Sequence, residues 1–544
     1  MLRISQTVLV SEPDVTGRLG QTGDKKQSRM AVERKIDEVG IAEFAPLVSL
    51  QDASDAHCGP VPDGKDEVVA SSALVIDLDG TLLQTNVLIE CALSLIRRNP
   101  LTIFRMLIWL LTGRAKLKQQ LARLAALDTG SLPLNPSVEA YAAGEKARGR
   151  KVYLATAADR VMAEAIAGRC GFFDGVLASD GNVNLKGRRK ADALGDLFAE
   201  RFAYAGDSRA DVPVWSRASE AIFVGDTRWA RRLARRLGKP ARIFGTPSRW
   251  RALAKCARPH QWAKNILVLV PAILAGNIFD LSALASALIS FVALCIIGSS
   301  TYLLNDVWDV ADDRRHWSKR NRPIASGALP ISNALAVFPI GIVVGLLLGA
   351  LANPTVELGL CVYLAVTLVY SFSLKRVPVL DVVTLAGLFT LRLGLGIAAA
   401  KVYASPWLLM FSMFLFASLC FAKRYVEIIG HRTRGRTSVA SRGYQAEDAT
   451  LLSTLGISTG ICSVAIMGFY IIFDAFQRSF YGDTRWLWAF PVILFLWITR
   501  VWLTAGRGEL DDDPVIFAVQ DAQSLVLGGG MVVAFFLAWS GFFG

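Results

Sequence analysis

The chain has 544 residues, 53% of them hydrophobic, and this composition with a mean hydropathy of +0.40 excludes an ordinary soluble protein. The net charge of +13 would suit nucleic acid or an anionic membrane surface, but the basic residues cluster beside apolar segments and no nucleic-acid-binding motif is recognised, which argues against a nucleic-acid partner. The 8 cysteines and 4 histidines show no metal-ligand spacing, so neither a disulfide framework nor a zinc site is expected.

The distribution of apolar residues divides the chain into four segments. Residues 1–70 are polar and predict a disordered tail that lacks the apolar core of a signal peptide. Residues 71–240 join short apolar runs to polar residues and predict a soluble α/β domain. Residues 241–264 predict a basic linker and interfacial segment, and residues 265–544 predict a membrane domain.

Three apolar runs in the α/β domain predict strands, at residues 73–76, 152–155 and 202–205. Each run ends in polar residues that can take part in catalysis, and a lysine precedes a predicted helix between the second and third runs. These residues are Asp77, Asp79, Thr156, Lys190, Asp207 and Asp211. Because α/β sheets bind their ligands at the carboxyl ends of the strands, the pattern predicts one shared site.

The order of these motifs resembles the haloacid dehalogenase (HAD) phosphatase superfamily over about residues 72–240. The resemblance implies a Rossmann-like α/β fold with a helical cap at about residues 85–145. It also implies that Asp77 is the nucleophile, which forms an aspartyl-phosphate, and that Asp79 is the general acid and base.

The same resemblance implies roles for the other polar residues. Thr156 and Lys190 would hold the phosphoryl oxygens, with Lys186 as the competing lysine. The residues that it implies for a Mg²⁺ site are Asp77, Asp79, Asp207 and Asp211. The alternative is a HAD-shaped domain that has lost its catalytic activity and only binds a ligand.

Residues 101–112, inside the expected cap, are mostly apolar but too few to span a bilayer. Basic residues flank them on both sides. The segment is expected either to lie on the membrane surface, where the phosphatase would reach a lipid-borne phosphate, or to pack on its own domain. A basic stretch at residues 225–258 could likewise meet anionic headgroups, although a solvated helix face is the simpler interpretation.

From residue 265 onward, apolar segments near 20 residues long predict about nine transmembrane helices. They lie near residues 265–280, 283–304, 332–352, 356–374, 380–400, 405–424, 452–474, 485–504 and 522–543. The connecting loops are alternately rich and poor in Lys and Arg. The bias predicts a multi-pass protein of the inner (cytoplasmic) membrane, with its amino terminus and phosphatase-like domain in the cytoplasm.

An acidic motif follows the second predicted span. Its members lie at spacings that put them on one face of a helix, and they are Asn305, Asp306, Asp309 and Asp313. Asp oxygens at the mouth of a membrane helix can hold Mg²⁺ ions, which in turn hold a diphosphate. Arg314, Arg315, Lys319, Arg320 and Arg322 follow, and they could take the remaining phosphate charge. A solvated, charged loop is the alternative.

The motif NDxxDxxxD at residues 305–313 resembles the UbiA superfamily of membrane prenyltransferases, and the all-α polytopic half agrees with it. The resemblance implies that its three acids act in catalysis as metal ligands. The second acidic motif of the superfamily is DxxxD, but here Asp381 is followed by Leu385 rather than by a second Asp. Prenyl transfer from a prenyl diphosphate to an aromatic acceptor is therefore the less favoured alternative.

Further motifs in residues 245–544 are similar to those of the decaprenyl-phosphate phosphoribosyltransferases, a branch of the superfamily that supplies arabinan precursors for the cell wall. They include PHQWAKN from Pro259, YSFSLKRVPVLDV from Tyr370 and FAKRYVEI from Phe421. The resemblance implies phosphoribosyl diphosphate as the donor and a polyprenyl phosphate as the acceptor. It offers as ligands of their phosphates Lys264, Asn265, Arg322, Lys375, Asp381, Arg392, Lys423, Arg424, Arg442 and Tyr444. Each cation could instead only set the membrane topology, although a charge inside a predicted helix, as at Arg392, is usually functional.

Together these resemblances predict a bifunctional enzyme with Mg²⁺ in both sites. The membrane half would transfer 5-phosphoribose to the lipid phosphate, and the phosphatase half would remove the 5-phosphate of the product. Linking the two sites would raise the effective concentration at the second. A non-catalytic membrane scaffold remains as a further alternative, and association into a homo-oligomer is left open.

Overall fold

A computed structural model describes residues 72–180, 183–432, 438–439, 443–477, 480–510, 517–518 and 520–540. The predicted tail at residues 1–70 and the predicted ligand Arg442 lie outside the described residues. Residues 70–544 cluster into one unit, so the α/β domain and the membrane helices are described together.

The α/β domain contains one sheet of six parallel strands, in the order β3-β2-β1-β4-β5-β6. The strands are β1 Ala73–Ile76, β2 Val152–Asp159, β3 Gly175–Ser179, β4 Phe202–Gly206, β5 Glu220–Gly225 and β6 Ala241–Gly245. Val75 in β1 is in register with Tyr153 on one side and with Tyr204 on the other. The strand order therefore reverses between β1 and β4, which is the switch point where sheets of this type bind ligands.

The burial of the strands agrees with their positions in the sheet. β1 is apolar at every position, and Leu74, Val75 and Ile76 are fully buried, as expected of a central strand that is covered on both faces. β6 is a largely exposed edge strand that pairs with β5. Because β6 begins at Ala241, the sheet extends past the predicted domain end at residue 240.

Among the described residues, nine α-helices lie between β1 and the membrane half. Their bounds are α1 Val87–Arg98, α2 Thr102–Leu111, α3 Arg114–Leu124, α4 Pro136–Ala147, α5 Arg160–Cys170, α6 Arg188–Phe198, α7 Val212–Arg217, α8 Thr227–Leu237 and α9 Arg249–Cys256. Asn86 and Asn135 begin α1 and α4, since each side chain accepts a hydrogen bond from a first-turn amide. α1 to α4 fill the region between β1 and β2, where a helical cap is expected.

Helix α2 is apolar except for Thr102 and the exposed Arg105, and it is only partly packed. Met106 and Trp109 contact the core of the α/β domain, whereas Leu101, Phe104 and Ile108 are 67%, 62% and 60% exposed. One face of the helix therefore packs on its own domain, and the other face exposes apolar side chains. Its binding to a membrane surface stays a prediction.

Eight helices of the described residues are long and apolar enough to cross a membrane. They are α11 Leu281–Trp308, α13 Ile331–Ala352, α14 Pro354–Phe372, α15 Leu380–Ala400, α16 Pro406–Arg432, α17 Ala449–Tyr470, α18 Ala489–Arg507 and α19 Ala522–Ser540. Between α11 and α13 lies the short helix α12, Val310–Arg315. The helical membrane half predicted from the sequence is confirmed.

The first of the nine predicted spans is wrong as a continuous helix. Residues Pro259–Val268 form a 3₁₀ helix and Val270–Leu274 form the short helix α10. Pro271 removes an amide donor, and Gly276 at φ +75° ends the segment in a left-handed conformation.

The irregular segment packs against α11 and α15. A Cβ atom at Gly396 would lie 2.1 Å from the carbonyl oxygen of Val268, so only glycine allows this approach. Beyond α10, Asn277 Nδ2 donates to the carbonyl oxygen of Ala400 at the end of α15. Non-helical backbone is tolerated at membrane depth where protein covers it, as it does here.

Candidate functional site

Three carboxylates meet at the switch point of the sheet. Asp77 follows β1, and Asp207 and Asp211 follow β4, its parallel neighbour; their oxygens lie within 4.8 Å of one another. Gly80 makes room for the cluster, because a Cβ atom there would lie 2.3 Å from Asp207 Oδ2 and because its φ is +80°. The structure thus brings together three of the four acids predicted for the Mg²⁺ site, and it leaves Asp79 outside the cluster.

A buried lysine balances part of this charge. Lys190 Nζ in α6 donates to Asp77 Oδ1 at 2.7 Å and to the hydroxyl of Tyr204 at 2.9 Å. Tyr204 in turn donates to Asp211 Oδ1 at 2.8 Å. Burial alone would lower the pKa of Lys190, but the nearby carboxylates outweigh burial and raise it, so the lysine stays charged. Lys190, rather than the competing Lys186, contacts the acid cluster among the described residues.

Asp79 and one member of the cluster, Asp207, have pKa values close to neutrality. Burial raises the pKa of Asp79 to about 6, although its Oδ1 accepts a hydrogen bond from the amide of Val87 at 2.8 Å. Burial and the charge of Asp77 raise the pKa of Asp207 to about 7. Asp79 can therefore both donate and accept a proton near neutral pH.

The donor set at the switch point fits Mg²⁺. Carboxylate oxygens are the ligands that this ion prefers, and two of the three clustered acids, Asp77 and Asp211, pair with Lys190. Thr156, at the carboxyl half of β2, is buried, and its hydroxyl accepts a hydrogen bond from the amide of Ala158 at 3.0 Å. The cluster could hold a divalent cation and a phosphoryl group next to the Asp77 carboxylate.

A second polar site lies at the end of α11, where each acid of the NDxxDxxxD motif contacts a cation. Asp306 Oδ1 accepts hydrogen bonds from Arg258 at 2.5 Å and from Arg322 at 3.1 Å. The same Arg322 nitrogen donates to Asp313 Oδ2 at 2.7 Å. One cationic nitrogen therefore lies between two carboxylates, which shows that this pair can coordinate positive charge.

Lys375 completes the set from the short turn between α14 and α15. Its Nζ lies 2.8 and 3.0 Å from the two oxygens of Asp309 and 3.5 Å from Asn305 Oδ1. Among the described residues only the switch-point acids bring three carboxylates within 4.8 Å of one another, so the motif acids form no such cluster. The predicted residues instead form two contact groups, Asp306 and Asp313 on Arg322 and Asn305 and Asp309 on Lys375, in one polar region at the end of α11. We name this region, together with Arg258, the acid–cation site. The oxygen-only donor set again suits Mg²⁺.

The α/β domain holds the helix that carries part of this site. Arg314 in α12 donates to both oxygens of Glu90 in α1, at 3.1 and 2.7 Å, and both side chains are almost fully buried. Such a bidentate pair fixes orientation as well as distance. The pairs Arg97–Asp312 and Arg315–Asp128 lie at the exposed rim, where ion pairs contribute little.

Asp381, by contrast, belongs to a separate buried cluster. Arg424 Nε donates to Asp381 Oδ2 and the hydroxyl of Tyr444 donates to Oδ1, both at 2.6 Å. Arg424 also pairs with Glu427 at 2.6 Å. These predicted ligands contact one another, and Asp381 and Arg424 are 0% and 1% exposed.

We expect Asp381→Asn to lower the free energy of unfolding by about 3 kcal/mol, because the buried Arg424 would lose its fully buried carboxylate and keep only the partly exposed Glu427. Arg424→Gln should cost a similar amount, and the double variant should cost less than the sum of the two. Unfolding in detergent would measure all three. Arg485→Gln, which removes an exposed ion-pair partner, should leave the midpoint of the unfolding transition unchanged. Additive losses would contradict a structural ion pair.

Arg392 and Asn265 form a third contact group inside the membrane half. Arg392 donates to Asn265 Oδ1 at 2.9 Å, to the Leu388 carbonyl at 2.6 Å and to the Tyr363 hydroxyl at 3.0 Å. Its guanidinium also stacks on Tyr363 and Phe389. The intramembrane charge thus joins the irregular segment to α14 and α15.

The remaining predicted cations lie close to the Asp381 cluster. Lys264 and Lys423 act electrostatically on the buried thiol of Cys420, one turn before Arg424, as Asp381 and Arg424 also do. Sequence reasoning missed Arg258, Tyr204 and Glu90 as contact residues. Arg258 directly precedes the PHQWAKN motif, which was the available signal, whereas nothing in the sequence pairs Glu90 with the acidic loop.

A family model and several known proteins are similar to this chain. The model of the UbiA prenyltransferase family matches residues 266–518. The uncharacterized protein y4nM of Sinorhizobium fredii is 35% identical over 468 residues, which cover 86% of this chain and 90% of that protein. An alignment of that length extends well into the α/β domain.

Two further matches concern the membrane half. Decaprenyl-phosphate phosphoribosyltransferase of Corynebacterium glutamicum is 35% identical over 222 residues, which cover 40% of this chain and 67% of that protein. The structure of a UbiA homologue from Archaeoglobus fulgidus, bound to DMAPP and Mg²⁺, aligns with a TM-score of 0.42 and 14% identity over 53% of this chain and 99% of that one. By the family model and the identity to its relatives, this chain belongs to the UbiA prenyltransferase family.

Proposed function

We propose that the protein is a two-step membrane enzyme. The first step transfers 5-phosphoribose from phosphoribosyl diphosphate to a polyprenyl phosphate, and the second removes the 5-phosphate of the product. The observation that carries the first step is the acid–cation site, in which Arg258, Arg322 and Lys375 contact the motif carboxylates. The identity to a decaprenyl-phosphate phosphoribosyltransferase supports the same donor and acceptor.

The charge of the acid–cation site suits a donor that is rich in phosphate. Phosphoribosyl diphosphate carries a diphosphate and a separate 5-phosphate, and the acceptor brings one phosphate more. Asn305, Asp306, Asp309 and Asp313 would hold Mg²⁺, which, when bound, offsets the charge of the diphosphate. The three cations would then exchange their carboxylate partners for phosphate oxygens.

The transfer step exchanges one bond at the anomeric carbon. An oxygen of the lipid phosphate attacks that carbon, the bond from the carbon to the diphosphate oxygen breaks, and diphosphate leaves with the electron pair. Arg258, Arg322 and Lys375 stabilise the growing negative charge on the leaving group. The product is a polyprenyl-phosphoryl-5-phosphoribose, which remains in the membrane.

The second step uses the switch-point cluster of the α/β domain. An Asp77 oxygen attacks the phosphorus of the 5-phosphate, the bond to the sugar oxygen breaks, and Asp79 gives that oxygen a proton. Water then attacks the aspartyl-phosphate while Asp79 takes its proton, which releases phosphate and restores Asp77. Lys190 and Thr156 would hold the phosphoryl oxygens. Mg²⁺ on Asp77, Asp207 and Asp211 would neutralise phosphate charge when bound.

Both active sites are proposed to face the cytoplasm. The loops at the motif end of the membrane helices include Arg314, Arg315, Lys375 and Arg376, whereas the opposite end has few cations, such as Lys401 and Arg485. Basic loops stay on the cytoplasmic side. This orientation, in the inner membrane, suits a soluble phosphorylated donor.

A choice of donors separates this proposal from prenyl transfer, the alternative that the family name keeps open. We expect purified protein with Mg²⁺ to label polyprenyl phosphate from phosphoribosyl diphosphate at least about 100-fold faster than it labels 4-hydroxybenzoate from a prenyl diphosphate, because the second acidic motif is incomplete at Leu385. Lipid extraction and counting would measure both rates. The reverse preference would exclude the phosphoribosyl donor.

A further inference from the structure

A cleft of about 1000 Å³ extends from Asp207, the member of the switch-point cluster that lines it, to the membrane half. Asp79 and Asp207 line one part of it, and Pro330, Ile331 and Asn333, at the start of membrane helix α13, line another. The volume lies at the upper end of those that hold drug-sized ligands, and it exceeds what one phosphate and a pentose need. The cleft is therefore large enough for a ligand that extends from the acids toward the bilayer.

Close packing of the two halves fixes the cleft wall on the membrane side. A Cβ atom at Gly327 would lie 2.4 Å from Gln84 Cβ and 2.6 Å from its carbonyl oxygen, so the loop before α13 packs directly on the segment after β1. Helix α9 also packs on α11, through Ala252 and Cys256. The walls therefore come from both halves and cannot separate without breaking these contacts.

Three arginines give the cleft a positive side. Arg209, Arg228 and Arg249 line it, and all three are exposed. Among the described residues none of the three forms an ion pair, while Arg249 is close enough to Asp207 to act on its charge. Guanidinium groups that form no ion pair with the protein and lie next to a phosphoryl site can bind a second phosphate.

We propose that this cleft binds a lipid-linked sugar phosphate, with its terminal phosphomonoester at Asp77 and its lipid phosphodiester on Arg228 and Arg249. The inference rests on the proposed phosphatase step and adds to it a binding site for the lipid phosphodiester. A soluble phosphate ester would use only the acid cluster. A lipid-linked ester would also use the arginines and the wall at α13, which explains why a membrane helix contributes to the site.

The test uses the full chain in nanodiscs and two substrates. One is polyprenyl-phosphoryl-5-phosphoribose, and the other is p-nitrophenyl phosphate, which has no second phosphate. In the variant Arg228→Gln/Arg249→Gln, kcat/KM for the lipid-linked ester should fall at least about tenfold more than kcat/KM for p-nitrophenyl phosphate. Arg232→Gln removes an exposed cation of α8 that does not line the cleft, and it should change neither value.

The outcomes separate this inference from the function on which it rests. Equal losses for both substrates, or no loss for the lipid-linked ester, would overturn lipid recognition by the arginines. A wild type that cleaves p-nitrophenyl phosphate but not the lipid-linked ester would leave the phosphatase intact and overturn the substrate class. A wild type that cleaves neither would overturn the phosphatase step itself. Phosphoribosyl transfer by the same preparation would report whether the variant is folded.

Discussion

Asp306→Asn is expected to reduce phosphoribosyl transfer to lipid at least about 1000-fold, because it removes a carboxylate that is proposed to bind Mg²⁺ and that pairs with two arginines. The side chain is only 2% exposed and contacts both Arg258 and Arg322. Loss of its charge would leave both guanidinium groups with a neutral partner at the end of α11. Incorporation of labelled ribose into extracted lipid would measure the effect.

The neighbouring Asp312 provides a matched control for this variant. Its side chain is 63% exposed, and it pairs with Arg97 rather than with the acid–cation site. Asp312→Asn should therefore keep transfer within about twofold of the wild type. Equal losses of transfer activity in Asp306→Asn and Asp312→Asn would mean that this region tolerates neither substitution. That result would contradict a specific role for the acids of the motif.

Asp77→Asn is expected to abolish phosphate release, by at least about 1000-fold, while phosphoribosyl transfer continues. An amide cannot form the aspartyl-phosphate, and it also weakens the contact with Lys190 at 2.7 Å. The product of the first step should therefore accumulate with its 5-phosphate in place. Thin-layer chromatography of the extracted lipid would separate the two products.

A control for this second variant lies on the helix that carries Lys190. Asp192 in α6 is 56% exposed and pairs with Arg217. Asp192→Asn should release phosphate at the wild-type rate, since exposed pairs contribute little. Phosphate release that persists in Asp77→Asn would mean that another group attacks the phosphorus, and the assignment of the nucleophile would fail.

Local spacing made much of both sites predictable. Acids directly after a buried strand must lie at the edge of the sheet, so the strand before Asp77 was enough to predict where Asp77 and Asp79 lie. Helical spacing predicted one continuous helix face for Asp306, Asp309 and Asp313, but α11 ends at Trp308 and Asp313 lies in α12, so this expectation was wrong in detail. The sequence predicts Lys190 with Lys186 as the competing lysine, because spacing along the chain does not determine which of the two side chains reaches the acids.

Contacts between distant segments could not be read from the sequence. Glu90 and Arg314 are 224 residues apart, and their pairing depends on how α1 packs on α12. The first predicted span was wrong for a related reason. Its apolar composition satisfied the rule for a membrane helix, but Pro271 and Gly276 interrupt the helix, and packing against α11 and α15 makes the irregular backbone tolerable.

The most direct test of the two-step account follows two labels of one donor. Phosphoribosyl diphosphate with ¹⁴C in the ribose and ³²P only in the 5-phosphate is incubated with wild-type protein, Mg²⁺ and polyprenyl phosphate. The account predicts that ¹⁴C enters the lipid while ³²P appears as free phosphate. Lipid that keeps both labels in equal amounts throughout the reaction would contradict the second step, and lipid without either label would contradict the first.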